Sequence, residues 1–80
     1  MTYEQWEAMR DAENYSCMIC GITESELGRK LDVDHCHETG KVRGVLCNSC
    51  NSVLGHARDN VEILQAAINY LKEYSGGYRD

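Results

Sequence analysis

Four cysteines fall in two pairs, Cys17-Met18-Ile19-Cys20 and Cys47-Asn48-Ser49-Cys50, with twenty-six residues between the pairs. A two-residue gap lets both sulfurs of one turn face a single ion at about 2.3 Å, and two such turns complete a tetrahedron. The spacing predicts one structural zinc ion held by Cys17, Cys20, Cys47 and Cys50, with no coordination position left open. A redox role needs a single pair, usually at a helix start in a βαβ setting, and no such setting is present. The fifth cysteine, Cys36, lies outside both pairs, between His35 and His37. It is expected to point from the far face of a strand into the core rather than to join a ligand set.

Between the pairs runs LDVDHCHETGKVRGVLCNSCN, which holds Asp34 beside His35, then His37, and Asn51 directly after the last cysteine. With zinc satisfied by thiolates, a second zinc on the histidines would find no partners beyond Cys36 and His56. Hydrolysis of a phosphodiester suits these residue types better. A hard cation such as Mg²⁺, or Mn²⁺ in its place, takes oxygen ligands and keeps several waters, so one or two protein groups and the phosphate suffice. Asp34 offers a carboxylate oxygen and Asn51 a neutral amide oxygen. A neutral His35 can take the proton of an attacking water, while the ion stabilises the leaving 3′ oxygen. Strict strand alternation puts Asp34 and His35 on opposite faces, so a shared site requires the strand to end, bend or bulge there. His56, five residues past Asn51 and so about 140° around a helix, is expected at the surface or facing DNA.

The elements that must carry these residues are legible in outline. Thr2-Tyr3-Glu4-Gln5 has the form of a capping box, and Trp6, Met9 and Ala12 follow at helical spacing, which predicts a helix over about Tyr3 to Asn14. CMICG is a cysteine turn, and TESELGRK reads as a polar connection. Leu31 to His37 alternates as a strand, Glu38 to Lys41 is a turn, and Val42 to Leu46 is the return strand of a β-hairpin. CNSCNSVLGHARD reads as a second cysteine turn running into a short helix. Asp59 or Asn60 then caps a helix through Val61, Leu64, Ala67, Ile68 and Leu71, ended by Gly76-Gly77.

Eighty residues make one domain, residues 1–80, with a core too small to be secure without a staple. There is no Phe and only one Trp. No stretch approaches the roughly 20 apolar residues of a membrane span, and no signal peptide opens the chain. The expected setting is therefore cytoplasmic, where cysteines serve as metal ligands rather than disulfides. The net charge of −5 is unevenly spread. Residues 1–28 carry six acids against Arg10, whereas residues 29–58 hold Arg29, Lys30, Lys41, Arg43 and Arg58 against three acids. The basic block lies beside the histidines, which permits phosphate binding.

Taken together, CMIC, DHCHETGKVRGVLCNSCN and the LG that follows resemble the recombination endonuclease VII family of phage nucleases, in the HNH group with the ββα-metal fold. The resemblance covers roughly residues 15–72. It rests on both CxxC pairs, Asp-His-x-His, Thr-Gly-x-x-Arg-Gly, and Asn after the last cysteine. It implies a small α+β, zinc-stapled ββα-metal (HNH-like) domain with flanking N- and C-terminal helices. It further implies that Asp34 and Asn51 bind the catalytic Mg²⁺, that His35 is the general base, and that His37 helps to hold the phosphate or the site geometry. Arg43 becomes a phosphate contact or a hairpin-stabilising residue, with Lys41 and Arg58 of the same basic block also set toward DNA phosphates. Two departures stand out. The founding member of the family has a Glu on the metal-site helix a few residues past the Asn, where this chain reads Ser52-Val53-Leu54. It also continues into helices used for dimerisation and for recognising branched DNA; a homodimer is left open as a partner state. The expected function is a metal-dependent DNA endonuclease acting on double-stranded or branched DNA. The rival is a non-catalytic zinc-knuckle module that binds DNA or a phage protein assembly.

Overall fold

The computed structural model describes residues 1–74. Its first helix, α1 (Tyr3–Ala12), starts where the capping box demands. The Thr2 hydroxyl accepts from the Gln5 amide at 3.1 Å, and the Gln5 side chain accepts from the Thr2 amide at 2.8 Å. The helix stops at Ala12, two residues short of the expected Asn14, because Asn14 and Tyr15 both turn into the left-handed region at φ 55°. A second capping box, Thr23 with Glu26, starts a four-residue helix α2 (Glu24–Leu27), and Gly28 ends it in the left-handed conformation that glycine adopts without cost. This short helix replaces the polar connection expected from TESELGRK.

The sheet is a two-stranded antiparallel hairpin, β1 (Asp32–His35) and β2 (Val42–Leu46). Asp34 pairs with Gly44, yet His35 pairs with Val42, so Arg43 is an extra residue on β2 and the ladder bulges between Asp34 and His35. β1 is shorter than the expected Leu31–His37: at its start the Leu31 amide donates to Glu24, and after His35 the chain turns, with the Cys36 amide donating to the Lys41 carbonyl.

Leu31, Val45 and Leu46 are buried with Cys17 and Cys47, and Trp6, Met9, Ile22, Leu27, Cys50 and Leu54 close around them. Two of the five central side chains are thus thiols from opposite cysteine turns. α1 docks through a polar clamp as well as through apolar contact. The buried Arg10 forks onto Glu24 at 2.6 and 2.9 Å, and its guanidinium stacks 4.4 Å from the Trp6 ring. Glu24 also accepts from the Leu31 amide at 2.9 Å, so one carboxylate ties α1 and α2 to the start of β1.

Helix α3 (Asn48–His56) begins inside the second cysteine turn, with Cys47 as its N-cap. Helix α4 (Val61–Tyr74) takes Asn60 as its cap, whose side chain accepts from the Ile63 amide at 3.1 Å. The expected stop at Gly76-Gly77 lies outside the described residues. α4 flanks the domain but does not pack around it as its apolar spacing implies. None of its residues is buried, and Val61, Ile68 and Leu71 remain exposed.

Candidate active site and metal centre

The two cysteine turns meet. One sulfur from each of Cys17, Cys20, Cys47 and Cys50 lies within 4.8 Å of all the others. Cys20 and Cys47 Sγ are 3.7 Å apart, which matches the edge of about 3.8 Å expected for a tetrahedron with metal–sulfur bonds near 2.3 Å. Backbone amides of Ile19 and Cys20 point at Cys17 Sγ, and that of Cys50 points at Cys47 Sγ, all at 3.4–3.5 Å. Such amides stabilise negative sulfur. Burial pushes the Cys17 thiol up, but these and neighbouring hydrogen bonds outweigh it and bring it down to about 6. Burial together with the other three sulfurs pushes Cys50 up to about 12. One thiolate thus forms readily and then opposes the next, a conflict that a divalent cation resolves. The donor set fits a soft or borderline ion such as zinc.

The Met18 amide donates to the Val45 carbonyl at 3.2 Å, which fastens the first cysteine turn across β2. The Met18 sulfur lies over Gly44, so a Cβ there would push the exposed Met18 side chain aside. This contact sets one wall of a cavity of about 340 Å³ lined by Met18, Ile19, Asp34, Arg43, Gly44, Leu46 and Leu54.

Asp34 is buried at 6% exposure and opens onto that cavity. A lone carboxylate there would be costly; Arg43 compensates it with two hydrogen bonds, Nε to Oδ2 at 2.7 Å and Nη2 to Oδ1 at 3.0 Å. The bulge makes this possible. Regular alternation would send the Arg43 side chain to the face opposite Gly44 and Asp34, and the extra residue turns it back. The same Nη2 reaches Asp59 Oδ1 at 3.3 Å, and Asp59 Oδ2 lies 2.7 Å from His37 Nδ1. A continuous polar chain therefore runs from buried Asp34 through Arg43 and Asp59 to the exposed His37. Burial pushes the Asp59 carboxyl up, but hydrogen bonds from Arg43 and His37 prevail and hold it below the usual range.

The other expected residues divide. His35 is exposed at the bulge and lines a different cavity, with Thr2, Tyr3, Trp6 and Val33; its ring makes no hydrogen bond among the described residues. The bulge is where a shared site requires it, yet Asp34 and His35 do not line one cavity. Asn51 is half-buried in the first turn of α3. Leu54, three residues on and hence on the same helix face, reaches the Asp34 cavity. Lys41 is exposed in the hairpin turn, and Arg58 is exposed at the rim of a third cavity that it shares with Cys36, His37, Glu38, Arg43 and Asp59. Cys36 is half-buried there and is not part of the core, because the strand that was to aim it inward ends at His35. His56 is exposed at the end of α3, as its spacing implies. Asp59 was legible only as a helix cap; once Asn60 takes that role, nothing local in the sequence points from Asp59 to His37, twenty-two residues away.

Four thiols that join the turn after α1 to the start of α3, with a two-stranded hairpin between them in the chain, define a small α+β domain with a site for one metal ion. The family described as recombination endonuclease VII matches residues 1–73, and the chain belongs to that family. It is 43% identical over 74 residues to the Gene 59 protein of Mycobacterium phage D29, covering 91% of this chain and 44% of that protein. It is 42% identical over 69 residues to the Gene 59 protein of Mycobacterium phage L5, covering 85% of this chain and 41% of that one. The chain thus spans less than half the length of these relatives. Among the described residues, no helix is long and apolar enough to cross a membrane.

Proposed function

We propose that the protein is a metal-dependent DNA endonuclease of the HNH type that hydrolyses phosphodiester bonds in double-stranded or branched DNA. The observation that carries this reading is the buried Asp34 carboxylate, neutralised by Arg43 and open to a cavity at the hairpin bulge, in a chain of the endonuclease VII family. Cys17, Cys20, Cys47 and Cys50 hold one structural zinc ion, which fastens the turn after α1 to the start of α3.

A second, hard ion, Mg²⁺ or Mn²⁺, suits the oxygen donors of the site. Asp34 offers a carboxylate with lone pairs beyond the two that Arg43 engages, and Asn51 offers an amide oxygen from the face of α3 that also carries Leu54. Waters and phosphate oxygens complete the shell, as such ions prefer. When bound, this ion supplies charge neutralisation at the scissile phosphate and stabilises the leaving oxygen. His35 lines a different cavity from Asp34, so the reading requires DNA to lie across the bulge between them; the exposed, unpartnered ring of His35 then has a nitrogen available to take the proton from the attacking water. His37 and Arg43, with Lys41 and Arg58 near them, receive the backbone phosphates. The products are 5′-phosphate and 3′-hydroxyl ends. A non-catalytic module that binds DNA or a phage assembly suits the net charge of −5, but it has no use for a buried carboxylate beside an open cavity.

The test is nicking of supercoiled plasmid by zinc-loaded protein in Mg²⁺. His35→Ala should keep zinc, fold and DNA affinity while losing about 10²–10⁴-fold in rate, the worth of a general base. Asp34→Ala and Asn51→Ala should instead weaken the dependence on Mg²⁺. Absence of Mg²⁺-dependent nicking by the unaltered protein removes the enzyme reading. Wild-type rates in His35→Ala remove His35 from it.

A further inference from the structure

Among the described residues, Asp59 is the one carboxylate that touches two of the residues set toward phosphate, and neither the family resemblance nor the sequence singles it out for that. We propose that Asp59 is a positioning residue of the site: it fixes His37 with Nδ1 as the donor nitrogen and holds Arg43 in line with Asp34, so that His37, when Nε2 is protonated as well, donates from Nε2 to a phosphate of bound DNA. This rests on the reading of the hairpin as a DNA backbone site, and it adds to that reading the group that aims its contacts.

The geometry assigns a separate task to each carboxylate oxygen. Oδ2 lies 2.7 Å from His37 Nδ1, and Oδ1 lies 3.3 Å from Arg43 Nη2. An ionised carboxylate only accepts, so His37 must carry its proton on Nδ1 for this contact to be a hydrogen bond. Nε2 is then the nitrogen left for a ligand, on a side chain that remains 68% exposed while Asp59 itself is only 18% exposed. Doubly protonated, that imidazole donates from Nε2 to a phosphate oxygen. Arg43 is shared in the same way, with its Nε and Nη2 on Asp34 and Nη2 also on Asp59. Asp59 thereby connects the exit of α3 to the turn of the hairpin, and His37, Arg43 and Asp59 line one cavity of about 350 Å³ with Arg58 and Cys36.

The backbone supports a specific substitution. Asp59 sits at φ 54°, in the left-handed region, where Asn is accommodated as readily as Asp. Asp59→Asn therefore keeps shape and backbone but has one oxygen for two donors. Arg43 is always cationic and claims that oxygen. The amide NH₂ is left against His37 Nδ1, which can then only accept, and the ring proton moves to Nε2.

The experiment uses zinc-loaded protein with ¹⁵N-labelled histidine. Long-range ¹H–¹⁵N correlation at a pH where the ring is neutral should show His37 protonated on Nδ1 in the unaltered protein and on Nε2 in Asp59→Asn, with His56 unchanged. In Ca²⁺, in place of Mg²⁺, and at a pH where the unaltered His37 is doubly protonated, Asp59→Asn should bind a duplex oligonucleotide about tenfold more weakly, the worth of one charge-assisted hydrogen bond. The double variant with His37→Gln should add little to that loss, since residues that act through one another are not additive. Zinc content and the thermal melt confirm that the variants fold. The inference is overturned if His37 carries its proton on Nε2 in the unaltered protein, if Asp59→Asn leaves the tautomer unchanged, or if the two losses in DNA binding add in full. Failure of the unaltered protein to bind or nick DNA counts against the proposed function instead, because the tautomer is read without DNA.

Discussion

Removal of the metal from the four cysteines should unfold the described domain rather than loosen one loop. Leu31, Val45 and Leu46 are the buried aliphatic side chains at its centre, and the other two central residues are the ligands Cys17 and Cys47. Three such aliphatics contribute roughly 5–9 kcal/mol on burial, whereas a structural zinc contributes an apparent 10–16 kcal/mol or so. A zinc ion on these cysteines should therefore stabilise the domain more than its central apolar side chains do, and the protein should bind one zinc per chain. Cys47→Ser isolates the effect cleanly, because serine still caps α3 as well as any residue, so what is lost is the fourth sulfur. Circular dichroism during titration with a chelator should show helix loss and zinc release together, and Cys47→Ser should show no cooperative melt. Acid should act in the same direction. The ion must displace the proton of Cys50, whose thiol is held up at about 12 by burial and its sulfur neighbours. Apparent affinity should thus fall at least tenfold per pH unit. It should fall more steeply below about 6, where Cys17 also regains its proton. A chelated protein that keeps its helical signal and a cooperative melt refutes this reasoning.

Three further outcomes are expected. Glu24→Gln leaves the buried Arg10 uncompensated and should cost about 3 kcal/mol at pH 7 by urea denaturation of zinc-loaded protein. Arg10 holds the Glu24 carboxyl down from 4.5 to about 2, so its contribution is complete above about 4.5 and fades as pH falls toward 2; a loss unchanged across that window contradicts the assignment. Leu54→Glu places a second carboxylate in the Asp34 cavity and should tighten Mn²⁺ binding, read by electron paramagnetic resonance, by about tenfold or more; unchanged affinity means that the ion binds elsewhere. DNA affinity should vary with salt along a log–log slope shallower than about −5, since five basic residues surround the site and each phosphate neutralised contributes about −0.9; a much steeper slope indicates several chains pooling their basic surfaces.

Much of the site was legible because its signals are local. Cys17-x-x-Cys20 and Cys47-x-x-Cys50 carry their own geometry, since a two-residue gap in a turn aims both sulfurs one way wherever the turn lies. Val42–Leu46 and the start of α1 at Tyr3 have the expected bounds, from alternation and from a capping box. The same capping pattern at Thr23 and Glu26 starts α2, but it is hidden inside a polar stretch, where a helix of four residues has no apolar period to betray it.

The sequence by itself determined the chemistry available: four thiolates for one ion, a carboxylate and imidazoles in a basic hairpin, and a core too poor in large side chains to stand alone. Tertiary structure alone decided which of these groups meet. Alternation sets Arg43 on the wrong face for Asp34, and only a one-residue slip between paired strands, a property of two segments and not of either, turns it back. Apolar spacing in α4 could not tell a packed helix from an exposed one, because it reports which face is apolar and not what lies opposite. Asp59 and His37 meet across a turn whose path is set by the zinc turn, the hairpin and the exit of α3 together. Contacts of that kind depend on relative placement in space, which no local spacing encodes.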